Sequence, residues 1–133
     1  MMQRVNIVAV VKKNGKILML RRSIFNKMYH GQWQFPEGGI EFGEAPEKAL
    51  ARELREETRL KLKSSKLLGI KSSKINHFGQ DLWHFIRIYC KCDTVGKIKL
   101  SRAHDEYRWV SKKDIKKLKL LKGVKYDDFK GFL

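Results

Sequence analysis

The chain has 133 residues, 42% of them hydrophobic, enough for one domain (1–133) with a core of its own; a disordered or fibrous chain is excluded. Its 30 Lys and Arg against 14 Asp and Glu give a formal net charge of +16, a field that attracts polyanions, whether phosphate-rich small molecules or nucleic acid. A Lys-rich solvated surface is the plainer reading of the same count. No run of 18 apolar residues occurs, so no membrane span is expected.

Val5 to Val11 is apolar and β-branched and reads as a buried strand. The start MMQRVNIVAVV lacks a small-residue cleavage site, so it belongs to that strand rather than to a signal peptide. Lys13-Asn14-Gly15-Lys16 is a turn signal, and Ile17 to Leu20 returns as a second strand closed by Arg21 and Arg22. Residues 23–31 read as a loop. Gln32 to Phe35 alternates like a short strand, with Trp33 and Phe35 on one face.

Seven of the acidic residues, Glu37, Glu41, Glu44, Glu47, Glu53, Glu56 and Glu57, fall between positions 37 and 57 of this basic chain. Gly38, Gly39 and Gly43 mark a loop where the backbone bends or approaches something closely. Pro36 blocks helix before it, and Pro46 suits the first turn of a helix running from Ala45 to about Thr58. Glu44 and Glu47 sit at the positive end of that helix dipole. On a helical wheel Glu53, Glu56 and Glu57 fall within an arc of about 100°, flanked by Leu50 and Leu54. Like charges so spaced cost a helix roughly 0.2–0.5 kcal/mol per pair. Arg52 and Arg55 relieve part of that. A hard divalent cation would relieve more, and oxygen-only donors suit Mg²⁺ or Mn²⁺ rather than Zn²⁺. A solvated helix face rich in ion pairs is the alternative for these three glutamates taken alone.

After the helix, Lys66 to Lys74 reads as a strand, Asn76 to Gly79 as a turn, and Leu82 to Cys92 as the strongest strand of the chain; together they predict a hairpin. Trp83 and Phe85 are core residues or stacking surfaces for a base. Cys90 and Cys92 share a strand face but diverge too far for an easy disulfide, and two thiols are too few for a zinc site. They read as reduced thiols of a cytoplasmic protein. His30, His77, His84 and His104 show no metal-ligand spacing. Residues 101–106 read as a loop, Tyr107 to Val110 as a strand, Ser111 as the N-cap of a helix from Lys112 to about Leu118, and Tyr126 to Leu133 as a short amphipathic helix. No internal repeat or linker is present.

The order Gly38, Glu44, Arg52, Glu53, Leu54, Glu56, Glu57 and Leu60, at those spacings, resembles the signature of Nudix (MutT-like) hydrolases over residues 38–60. Arg59 departs from it: the family has Gly there, which suggests that the helix ends differently, a residue later. The resemblance implies an α+β fold, a Nudix-type α/β/α sandwich with a mixed β-sheet between helices. It also implies an enzyme that hydrolyses a phosphoanhydride in a nucleoside diphosphate linked to another group, such as a nucleoside triphosphate or dinucleoside polyphosphate, with Mg²⁺ or Mn²⁺. Glu53, Glu56 and Glu57 match the family's metal-binding glutamates, with Glu53 also a candidate base. The backbone carbonyl of Gly38 or Glu37 is a further candidate ligand.

Glu44 and Arg52 are expected to brace the loop and the helix, with Gly39, Glu41 and Gly43 shaping the loop. Arg21 and Arg22 match loosely the basic residues that face substrate phosphates, and Trp83 is a candidate substrate contact. Asp105 to Val110 resembles a late segment that supplies one more carboxylate, which makes Glu106 a candidate metal ligand or general base. Trp33-Gln34-Phe35-Pro36-Glu37-Gly38-Gly39 resembles the same stretch in dinucleoside-polyphosphate hydrolases and RNA 5′-pyrophosphohydrolases. The expected partner is therefore a nucleotide or another diphosphate-containing small molecule, with an RNA 5′ end as the alternative; a non-catalytic nucleotide- or RNA-binding module is a third reading. No membrane partner is expected.

Overall fold

The computed structural model describes residues 1–26, 28–77 and 80–133, with the backbone alone for His77, Gln80 and Asp81. Its strands are β1 (Met2–Lys13), β2 (Lys16–Arg22), β3 (Trp33–Gln34), β4 (Glu37–Gly39), β5 (Lys61–His77), β6 (Gln80–Val95) and β7 (His104–Ser111). Its helices are α1 (Pro46–Thr58), α2 (Lys112–Ile115) and α3 (Tyr126–Phe129), followed by a 3₁₀ turn, Lys130–Phe132.

The sheet is mixed. β1 runs parallel to β6 from Met2↔Trp83 to Val11↔Cys92, and every other pairing between these strands is antiparallel. The strand order is β3-β2-β1-β6-β5, with β4 on β1 and β7 on β2. Alternation along β1 sends Ile7, Ala9 and Val11 to one face and Val8 and Val10 to the other. The first face packs against Ala49, Leu50 and Leu54 of α1, and the second against Ile115 of α2 and Phe129 of α3. Helices thus cover both faces, the sandwich that the sequence predicts. Leu50 and Leu54 are buried, each contributing about 2 kcal/mol, and anchor the helix that carries the glutamates.

α1 starts as expected, with Pro46 in its first turn after an extended Ala45. Its end corrects an expectation. Arg59 does not extend the helix; it takes the left-handed conformation itself (φ 65°, ψ 4°), and its N–H donates to the Arg55 carbonyl. Packing decides this. Leu60 is buried beneath the sheet face, and its N–H donates to the Thr58 hydroxyl at 3.2 Å, so the chain must turn at Arg59 whatever residue stands there.

The hairpin is longer than the sequence predicts: β5 and β6 pair from Lys61↔Val95 to His77↔Gln80. Phe78 and Gly79 of the expected turn lie outside the described residues, as does the side chain of His77. β7 begins at His104, so 104–106 are strand rather than loop. α2 closes at Ile115 instead of about Leu118, because Lys117 and Leu118 already donate to carbonyls three residues back. Cys90 and Cys92 are free, buried thiols.

Candidate active site

β4 and the middle of α1 meet at Gly38. The Glu53 carboxylate lies directly against the Gly38 α-carbon, where any side chain would collide with it. Gly43 closes the loop with a φ of 78°, a conformation that glycine adopts without strain.

Arg52 ties the loop to the helix. Its Nε donates to Glu44 Oε2 and its Nη2 to Glu44 Oε1, both at 2.8 Å, a bidentate pair. Nη2 also donates to the Gly39 carbonyl at 3.0 Å, while Nη1 donates to Glu53 Oε1 at 2.7 Å and Glu56 Oε2 at 3.3 Å. Glu44 in turn accepts the Glu41 N–H at 3.1 Å. The Arg52 bonds, then that N–H, hold the Glu44 carboxyl down to about 2. Glu41 is exposed, with its carboxylate 3.9 Å from Arg52.

Glu57 is held from the other side. Its Oε1 accepts the Glu37 N–H at 3.0 Å. Burial, then the nearby charges of Glu53 and Glu37, push the Glu57 carboxyl well above the usual range. Burial raises Glu53 too, against the opposing pull of Arg52. The Glu37 side chain forms a buried ion pair: Oε2 accepts from Arg87 Nε at 2.9 Å and from Asn6 Nδ2 at 3.0 Å.

Glu53, Glu56 and Glu57 offer oxygen donors alone, next to the Gly38 backbone, and this donor chemistry fits a hard divalent cation. Burial first, and then the neighbouring carboxylates, raise the proton affinities of Glu53 and Glu57, and a bound cation would offset both. Among the described residues, no three His, Cys, Asp or Glu side chains already stand close enough to hold one ion. Arg52 donates to Glu53 Oε1 and Glu56 Oε2, so a cation held by these carboxylates would take their other oxygens.

Beside this site lies a cavity of about 250 Å³ lined by Arg4, Asn6, Arg22, Glu37, Trp83 and Arg87 among others. Trp83 and Phe85 stack, with ring centroids 5.6 Å apart and planes 8° apart, and the Arg87 guanidinium lies 4.6 Å from the Phe85 ring centre. Arg22 donates to the Met28 carbonyl and to Gln34 Oε1 at 2.8 Å, and among the described residues no carboxylate forms an ion pair with it. Arg22 and Trp83 are thus brought together.

Arg21 and Glu106 are not brought there. Arg21 Nε donates to Asp105 Oδ1 at 2.7 Å, and its Nη1 lies 3.1 Å from Glu106 Oε1; Arg108 also pairs with Glu106 at 2.7 Å. The reason is an irregularity in β7: Arg21 faces Glu106 but Arg22 faces His104, leaving Asp105 as an extra residue. Adjacent residues of β2 point to opposite faces, so their partners Glu106 and His104 do as well. His104 therefore takes the place expected of Glu106, with Nδ1 3.6 Å from Glu57 Oε2. It is buried with neither ring nitrogen hydrogen-bonded, and burial, then Arg22, lower it to about 4.

Sequence reasoning missed His104, Asn6, Arg4 and Arg87. The signal for Asn6 and Arg87 was available: each is a polar residue inside an otherwise apolar strand. His104 carried no such mark.

The NUDIX domain model matches residues 2–129. An RNA pyrophosphohydrolase of Pseudoalteromonas translucida is 32% identical over 128 residues, covering 81% of this chain and 70% of that protein. One from Acinetobacter baylyi is 49% identical over 53 residues, a match that spans 40% of this chain and only 29% of the relative's length. Among solved structures, a MutT protein from Methanosarcina mazei Go1 superposes with a TM-score of 0.77 at 26% identity, over 98% of this chain and 89% of that one.

Proposed function

This chain belongs to the Nudix family, and from that premise we propose that it is a divalent-metal-dependent pyrophosphohydrolase cleaving a phosphoanhydride in a nucleoside diphosphate linked to another group. The observation that carries the reading is the pair Glu53 and Glu57, held part-buried against the Gly38–Glu37 backbone despite raised proton affinity. A fold alone has no use for that cost. It argues against a non-catalytic binding module.

Glu53, Glu56 and Glu57, with the Gly38 or Glu37 carbonyl, would hold Mg²⁺ or Mn²⁺, which supplies charge neutralisation on the diphosphate and a more acidic water. Arg52 orients Glu53 from its bidentate seat on Glu44. Water attacks one phosphorus, the bridging P–O bond breaks, and the leaving phosphate keeps the electron pair. The proton of the water passes to a carboxylate of the site, with Glu53 the candidate base. Arg4 and Arg22 meet the negative phosphates, and Trp83 with Phe85 stacks a base.

Among substrates, the names of the relatives favour an RNA 5′ end, and the Trp33–Gly39 stretch is compatible with that or with a dinucleoside polyphosphate. The test is phosphate or pyrophosphate release with Mg²⁺ or Mn²⁺ from 5′-triphosphate RNA, nucleoside triphosphates and dinucleoside polyphosphates. Glu53→Gln and Glu57→Gln should lower turnover by orders of magnitude; full activity in both would overturn the assignment.

A further inference from the structure

The fold alone does not account for His104. Its side chain is 2% exposed, and neither ring nitrogen has a hydrogen-bond partner among the described residues. An apolar side chain of similar size would avoid the desolvation cost of two unpaired polar atoms. The ring faces Glu57, with Nδ1 3.6 Å from Oε2. That gap is too wide for a hydrogen bond. It is only slightly wider than the roughly 3.0–3.4 Å between neighbouring donors that each lie about 2.1 Å from one metal ion. The other Glu57 oxygen, Oε1, already accepts the Glu37 N–H, so Oε2 is the one left to share a ligand with the ring.

The main chain fixes this approach. Lys99 N–H donates to the Thr58 carbonyl at 2.9 Å and Ser101 N–H to the Glu57 carbonyl at 3.2 Å, which fastens the segment before β7 to the end of α1. His104 N–H then closes a turn on the Ser101 carbonyl at 3.3 Å, and the strand pairs His104 with Arg22. Ring and carboxylate thus meet through bonds that involve neither side chain. The charges that bear on the two are those of Glu53, Glu37 and Asp105 against that of Arg22, a balance that favours a cation.

We propose that His104 is a nitrogen ligand of the divalent cation, added to the glutamate oxygens, and that it turns the site toward first-row transition ions such as Mn²⁺ and away from Mg²⁺. This rests on the metal-dependent reading above. Carboxylate and carbonyl oxygens suit both ions. An imidazole nitrogen is a softer donor, which transition ions accept more readily than Mg²⁺ does.

The experiment is pulsed EPR of Mn²⁺ bound to the substrate-free protein. The spectrum should carry nitrogen-14 modulation from a coordinated imidazole, converted to the nitrogen-15 pattern when histidine alone is labelled. His104→Gln should abolish the modulation. In titrations it should weaken Mn²⁺ binding about tenfold and leave Mg²⁺ affinity in place; a purely structural role would weaken both ions alike. The chain has four histidines. The His30→Gln/His77→Gln/His84→Gln variant leaves His104 alone and should keep the modulation, so the assignment does not hang on one mutant folding.

Bound Mn²⁺ without histidine modulation in the wild-type protein would overturn the proposal and leave the metal-dependent reading standing. Modulation that survives His104→Gln would do the same, as would an equal loss of Mn²⁺ and Mg²⁺. A protein that binds neither ion would sink both.

Discussion

The carboxylate of Glu53 rests on the α-carbon of Gly38, two residues brought from strand and helix into a contact that no other residue type at position 38 permits. A methyl group there has to displace Glu53, with Arg52 anchored behind it. Gly38→Ala should therefore fold, with an unchanged circular dichroism spectrum, yet lose about 10²-fold in kcat/KM, the scale of loss from a misplacement near 1 Å.

Glu57 makes the metal-free protein sensitive to alkali. Its folded proton affinity is raised, so the folded state holds the proton more tightly than the unfolded state. Its contribution is most favourable below the ordinary glutamate value and is lost as pH rises from there through the raised value. Thermal unfolding without metal should show that decline, Mn²⁺ should offset it most at the high end, and Glu57→Gln should flatten it.

His104 acts in the opposite sense. Its folded value is lowered to about 4, so its contribution is complete above the unfolded value of 6.5 and is lost as pH falls through that interval. The full effect is on the order of 3 kcal/mol. Melting curves of His104→Gln should lose the acid-side slope between those two values while the Glu57 slope persists.

Arg87 and Glu37 form a buried pair whose carboxylate residue also supplies the N–H that holds Glu57. Arg87→Ala leaves the Glu37 charge uncompensated and should cost about 3–5 kcal/mol in urea unfolding. Adding Glu37→Gln to Arg87→Met should recover most of that, because the pair is removed together.

Arg59 sits in a left-handed conformation that costs a non-glycine residue roughly 1–2 kcal/mol. Glycine relieves that strain but loses more backbone freedom on folding, about 0.5–1 kcal/mol. Arg59→Gly should therefore stabilise by up to about 1.5 kcal/mol, read as a rise of a few degrees in melting temperature, with turnover unchanged.

The glutamate arc, its glycine loop and the Pro46 helix start were legible because they are local. A helix converts sequence spacing into direction by a fixed rotation per residue, and Pro and Gly fix backbone angles on their own. Arg52 and Glu44 were named from the resemblance to the family signature, and they meet between the middle of α1 and the loop before it. Arg21 and Glu106 went astray because a single extra residue, Asp105, turns one side chain of β7 to the other face, and no pattern in residues 101–110 marks it. The ending at Arg59 went astray because the burial of Leu60 against distant strands outweighs a local conformational preference.

By itself, then, the sequence determined which carboxylates gather and what they suit, since neighbours along a helix need no further fold to meet. Only the tertiary structure decided what surrounds them. His104 beside Glu57 and Arg87 beneath Glu37 come from elements far apart in the chain. Their meeting depends on sheet register, and one residue of slip in register reverses every side chain it carries.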